Sequence, residues 1–121
     1  MKKGPRALIA FVAASIATGR RHSSIYDYGA GGYRQVSGTV TPNHVNIYDY
    51  NDSCYLSGSG GVGALSLYHY GEGAHLTLNM QGNRFHGYDY GASCHFSGQV
   101  SGNSVSLYDY GEGGYFNYTA S

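Results

Sequence analysis

The sequence predicts an all-β protein made of tandem repeats, and three observations carry that prediction. A Tyr-x-Tyr motif recurs five times, led by Tyr26, Tyr48, Tyr68, Tyr88 and Tyr108, at spacings of 22, 20, 20 and 20 residues. Around each motif, apolar and polar residues alternate with period two and are enriched in aromatic and β-branched types, the pattern of a half-buried strand. Glycine and asparagine punctuate the strands at fixed phases, with 20 glycines among 121 residues. A fixed period sustained along a chain marks a repeat architecture.

Before the repeats lies a different composition. Five of the seven basic residues, Lys2, Lys3, Arg6, Arg20 and Arg21, fall in the first 21 positions, and all seven acidic residues come after position 26. A basic stretch, MKKGPR, precedes the apolar run Ala7–Ala17, ALIAFVAASIA, and small residues follow. Ser15-x-Ala17 and Ala17-x-Gly19 are candidate cleavage patterns, so residues 1–19 are expected to be a secretory signal peptide, leaving residues 20–121 as the mature five-unit domain. Eleven apolar residues are too few to span a bilayer as a helix, which takes about 20. The alternative is an apolar strand or helix that packs on the domain. A chain cleaved near Gly19 keeps four basic and seven acidic residues, a net charge of −3 with histidines neutral. That balance argues against nucleic acid as a partner, which calls for a basic face.

Each unit reads as two short strands. In the last unit, Val105–Tyr110 forms the first, Gly111–Gly114 a glycine-rich turn, and Tyr115–Tyr118 the second. The two extra residues of the first interval are expected near Thr41-Pro42. Alternation places Val45/Ile47, Leu65/Leu67 and Val105/Leu107 on a core face with Leu56, Leu76, Phe96 and Phe116. The other face then carries Tyr26, Tyr28, Tyr48, Tyr50, Tyr68, Tyr70, Tyr88, Tyr90, Tyr108 and Tyr110 as outward columns, with Tyr55, His75, His95 and Tyr115 beside them. The position after each leading tyrosine, Asp27, Asp49, His69, Asp89 and Asp109, conflicts with a dry core face, so these carboxylates are expected at an exposed edge or around cations.

Two architectures fit the period. In a β-solenoid each unit is one coil, and equivalent residues stack about 4.8 Å apart. In an antiparallel meander each unit is a hairpin, and equivalents lie about 9.6 Å apart. Gly-Asn turns favour hairpins, while strict recurrence and tyrosine columns favour stacking. The solenoid is the expected fold and the single-layer meander the alternative.

Cys54 and Cys94 share a phase two units apart, too far for a disulfide within one regular molecule; as exported thiols they could bridge two chains. His69, His75, His95 and Cys94 are the only candidates for a transition metal, and no CxxC or HExxH spacing supports one. No cofactor is expected. The chain has no GxSxG, no P-loop and no paired-carboxylate cleft, so no enzymatic activity is expected.

By period and composition the repeats resemble the choline- and glucan-binding repeats of cell walls, which place ligands between aromatic side chains, although tryptophan is absent here. Tyr108-Asp109 followed by glycine resembles the YD repeats of toxin shells. Met80-Gln81-Gly82-Asn83 and Gln99–Asn103 resemble curli-type repeats. No residue role transfers from these resemblances. The function expected is that of a secreted or cell-surface structural protein that assembles end to end with copies of itself, through unprotected terminal strands, into a fibre or surface layer displaying tyrosine columns. The alternative is a module that binds cell-envelope or extracellular polysaccharide through exposed tyrosines.

Overall fold

A computed structural model describes residues 1–121. One helix, α1 (Lys3–Thr18), is followed by ten strands: β1 (Ser24–Asp27), β2 (Gly32–Thr41), β3 (His44–Asp49), β4 (Cys54–Gly61), β5 (Ala64–His69), β6 (Ala74–Gln81), β7 (Arg84–Asp89), β8 (Cys94–Ser101), β9 (Ser104–Asp109) and β10 (Gly114–Ala120). Every strand pairs antiparallel with its chain neighbours, and β1 also pairs with β10, so the meander closes into a barrel. The expected solenoid is corrected on this point: each repeat is a hairpin, not a coil. Local turn chemistry decided it. Gly82 and Gly102 hold positive φ (63° and 58°) at the first position of two-residue turns, where primed hairpin turns place glycine.

The alternation read from the sequence holds strand by strand. Val45, Ile47, Leu56, Leu67, Leu76, Phe96 and Leu107 all point into the lumen and are buried. A ten-stranded barrel is wider than an eight-stranded one, whose own side chains fill its interior, and here α1 fills the remainder. Ala7–Ala10 and Val12–Ala14 are fully buried and Phe11 nearly so, in one cluster with the inward strand residues. A helix that is apolar on every side must be enclosed, and alanines at positions 7, 10, 13 and 14 keep it slim. Sixteen helical residues span about 24 Å, close to the length of strands of six to eight residues at about 3.4 Å each. Gly19 (φ 66°) ends the helix, donating its N–H to the Ser15 carbonyl. His22, 3.2 Å from Ser15 Oγ through Nδ1, starts the return into β1. The stretch expected to be a signal peptide is thus the centre of the core in this structure.

The two extra residues sit in β2, not near Thr41-Pro42. Tyr26 pairs with Tyr33 as Tyr48 pairs with Tyr55. Val36 then meets Asp49, whereas Leu56 meets His69. The insertion is Arg34-Gln35, and it turns the Arg34 side chain toward Asp49.

Inward glycines sharpen the closure. Gly38, Gly58 and Gly98 stand opposite Ile47, Leu67 and Leu107. In the hairpin interface β6–β7 the order is exchanged, with Leu78 on β6 and Gly87 on β7. At each of these glycines a Cβ would meet the backbone carbonyl of the neighbouring strand, so the strands bend there as a curved, closed sheet requires.

Removal of residues 1–19 is expected to abolish cooperative folding, because the lumen then has no core; circular dichroism melting and dye binding on the truncated chain read this directly. A truncated chain that melts as cooperatively as the full chain would restore the cleaved-leader expectation. Within the full chain, Leu8→Ala should cost about 2–5 kcal/mol in urea unfolding.

Candidate functional site

On the outside of the barrel the repeats build five aromatic clusters. In each hairpin the leading tyrosine stands directly opposite an aromatic residue of the next strand and two positions before a second tyrosine. The clusters are Tyr26/Tyr28/Tyr33, Tyr48/Tyr50/Tyr55, Tyr68/Tyr70/His75, Tyr88/Tyr90/His95 and Tyr108/Tyr110/Tyr115. In every one the leading ring is held edge-to-face by both neighbours, with centroids 4.7–4.9 Å apart, the arrangement that the ring quadrupole favours. The leading ring is half-buried, while Tyr28, Tyr50, Tyr70, Tyr90 and Tyr110 are exposed. Tyr50 and Tyr28 reach back across the preceding strand, their hydroxyls 3.1 Å from Ser37 Oγ and Thr119 Oγ1. All ten tyrosines expected on the outer face are there, gathered as a belt near one end of the barrel. Beyond the belt the outer wall bears short hydroxyl and amide side chains such as Ser57, Ser66, Thr77 and Asn79. No helix is long and apolar enough to cross a membrane.

The aspartates lie on the opposite side of the sheet. Asp27, Asp49, Asp89 and Asp109 are buried in the lumen beneath the belt, which corrects the expectation of an exposed edge. Their partners explain how carboxylates tolerate this position. Oδ1 of Asp109 accepts the N–H groups of Gly111 (2.9 Å) and Glu112 (3.2 Å), and Asp27 and Asp89 do the same for their own turns. Each aspartate therefore caps the four-residue turn that follows it. His69 takes over that role in the third unit, its Nδ1 accepting the Glu72 N–H at 2.9 Å. The turn closes with positive φ at Gly31, Ser53, Gly73, Ser93 or Gly113. Tyr-Asp-Tyr-Gly is thus one structural sentence: a ring outside, a cap inside, a ring outside, a turn.

Three basic groups complete the lumen end. Arg34 Nη1 lies 2.9 Å from Asp49 Oδ2 and 3.0 Å from Asp52 Oδ2. Arg6, on the first turns of α1, donates from Nε to the Tyr118 hydroxyl and from Nη1 to Asp109 Oδ2, both at 3.0 Å, and its guanidinium lies 3.5 Å over the Phe116 ring. The Met1 amino group is 3.0 Å from the same Asp109 oxygen. Burial pushes Asp109 upward, but the hydrogen bonds from the Met1 amino group and Arg6 outweigh it and hold the carboxyl below its ordinary range. Burial drives the Tyr118 hydroxyl up to about 12 against the pull of Arg6. No buried side-chain polar atom lacks a partner.

The metal candidates are divided by the sheet. His75 and His95 stand outside, next to Tyr68 and Tyr88, while His69 and Cys94 face the lumen. No three His, Cys, Asp or Glu side chains gather where they could hold an ion. Cys54 Sγ lies 3.6 Å from His69 Nε2, and Cys94 Sγ 3.7 Å from Asp109 Oδ1. Both thiols are free, buried and pushed up by that burial; the His69 imidazole is pushed down by its own. A bridge to another chain finds no exposed sulfur. Sequence reasoning missed Arg6, Arg34 and Tyr118 as the lumen's polar anchors; the signal for Arg34 was the two-residue insertion.

Fold and site together define a helix-filled, ten-stranded antiparallel barrel with a belt of aromatic clusters on its outer wall. No family model matches the chain, and no curated protein or solved structure matches it.

The Arg6–Asp109 anchor has a pH signature. A carboxyl held below its ordinary range contributes stability that is present above that range and lost as pH falls through the depressed value. Tyr118 contributes below its ordinary value of 10.0 and loses that contribution as pH rises toward about 12. Asp109→Asn should cost about 3–5 kcal/mol at neutral pH, because it leaves Arg6 buried without its charge partner, and should flatten the acid limb of the stability profile. Urea unfolding across pH measures both; an unchanged acid limb would contradict the assignment.

Proposed function

We propose that the protein is a binding module whose aromatic belt engages polysaccharide outside the cell or at its envelope. The observation that carries this reading is the outward placement of all five clusters, each with exposed ring surface next to hydroxyls. A tyrosine offers an apolar face suited to a sugar ring together with a polar tip. Edge-to-face packing fixes the leading ring before any ligand arrives, which reduces the ordering cost of binding. Equivalent clusters in successive hairpins recur about 9.6 Å apart, two strand spacings, so a polymer can engage several at once and gain avidity. No catalytic step and no cofactor belong to the proposal. A secreted or cell-surface location does.

Self-association is the second reading, and the exposed rings favour it only in lateral form. End-to-end growth through a free strand edge needs a template, and β1 is already paired with both β2 and β10.

Full-length protein should be retained by insoluble cell-wall polysaccharide, and Tyr68→Ala/Tyr88→Ala should weaken retention about tenfold, the loss of roughly 1.4 kcal/mol. Unchanged retention in the double variant, or no retention of the parent by any polymer, would remove the reading. Sedimentation velocity of the same samples addresses lateral assembly: a concentration-dependent oligomer lost in the double variant supports it.

A further inference from the structure

The acidic residues of the barrel are gathered at one end of its axis, where Lys2, Arg6 and Arg34 pair with them. All seven acidic residues lie at the end that carries the Tyr-Asp turns. At the opposite end stand Arg20 and Arg21, just past the C-terminus of α1, and Arg84, which opens β7 after the Gly82-Asn83 turn. Arg84 is exposed and makes neither an ion pair nor a side-chain hydrogen bond, unlike Arg6 and Arg34. In the other hairpins its place is taken by His44, Ala64 and Ser104.

Arg84 also lines a groove of about 450 Å³ on the outer wall, crossing β7 to β10. Two cross-strand rows form it. One runs Arg84–Gln99–Ser106 and the other His86–Ser97–Tyr108–Tyr115. The groove thus has a cation at one side, amide and hydroxyl groups along its floor, and two rings of the fifth aromatic cluster at its far side. Gly98, lacking a side chain, lies between the rows, and no carboxylate lines the groove.

We infer that this groove is a subsite for an acidic sugar, with Arg84 receiving the carboxylate or sulfate of the residue whose neighbour stacks on Tyr115. The inference rests on the polysaccharide reading and deepens it. A guanidinium pairs with a carboxylate through two parallel N–H···O bonds, Gln99 and Ser106 can bond ring hydroxyls, and Tyr115 supplies the stacking face. A non-sugar polyanion satisfies the charge but not the ring.

Affinity electrophoresis of the full chain tests it, using polygalacturonate, a neutral galactan and polyglutamate as three separate additives. Polygalacturonate should retard the protein most strongly and polyglutamate least. Arg84→Gln should weaken the polygalacturonate interaction about twofold to fivefold, the effect of one exposed charge pair, and leave the galactan interaction unchanged. Because Arg84 is exposed and makes no ion pair or side-chain hydrogen bond, the variant is expected to fold as the parent does. Tyr115→Ala should weaken both sugars. An Arg84→Gln protein that binds polygalacturonate as the parent does, while Tyr68→Ala/Tyr88→Ala does not, would overturn the groove assignment and leave the polysaccharide reading standing. Equal retardation by polyglutamate would reduce the effect to unspecific charge and overturn it. No retardation by either sugar would overturn both.

Discussion

Everything in this molecule depends on filling the barrel. Ten antiparallel strands closed on themselves enclose more room than their inward side chains occupy, and α1 packs into the remainder. The fit is dimensional and chemical. The helix is as long as the strands, apolar on all sides, and slim where alanine faces the bulkier strand residues. Polar anchors hold it at its N-terminal end, where Arg6 meets Asp109 and Tyr118. The positive end of the helix dipole there faces the ring of lumen aspartates, which is the favourable sense.

In the proposed reading, filling the lumen sends function outward. The buried polar groups are spent on one another and on the turns, and both thiols lie beneath the sheet. What repeats on the outside is the aromatic cluster. The repeat unit thereby separates two tasks by the pleat of a strand: aspartate inside closes the turn, and tyrosine outside meets solvent. Adjacent positions in one tetrapeptide can do this because successive side chains point to opposite faces. The same logic places Arg84 and Tyr115 on one wall, although they are 31 residues apart in the chain.

Much of this was legible in the sequence. Period-two alternation assigned the inward aliphatic residues and the outward tyrosines correctly, and the Gly-Asn pairs marked hairpin turns. What the repeat could not reveal was closure. A strict period fits stacked coils and joined hairpins alike, and pairing between β1 and β10 is a contact between opposite ends of the repeat domain with no local signal. Ala7–Ala17 read two ways for a related reason: a short apolar stretch behind a basic one fits a leader or a segment packed on the domain, and the enclosed lumen is where the second would lie. The aspartates were read as exposed because a carboxylate in a core is costly. The turn amides that offset the cost lie two and three residues further on, and Arg6 reaches Asp109 across 103 positions.

The central claim is that the filled barrel works through its outer wall. Amide and aromatic chemical-shift mapping of the full, isotope-labelled chain during titration with a soluble polysaccharide fragment tests it most directly. The account predicts shifts at the belt tyrosines and along the β7–β10 wall, with Leu8, Phe11 and the other α1 signals unmoved. Shifts concentrated in α1 and the inward strand residues would mean that ligands enter the lumen, and would contradict it.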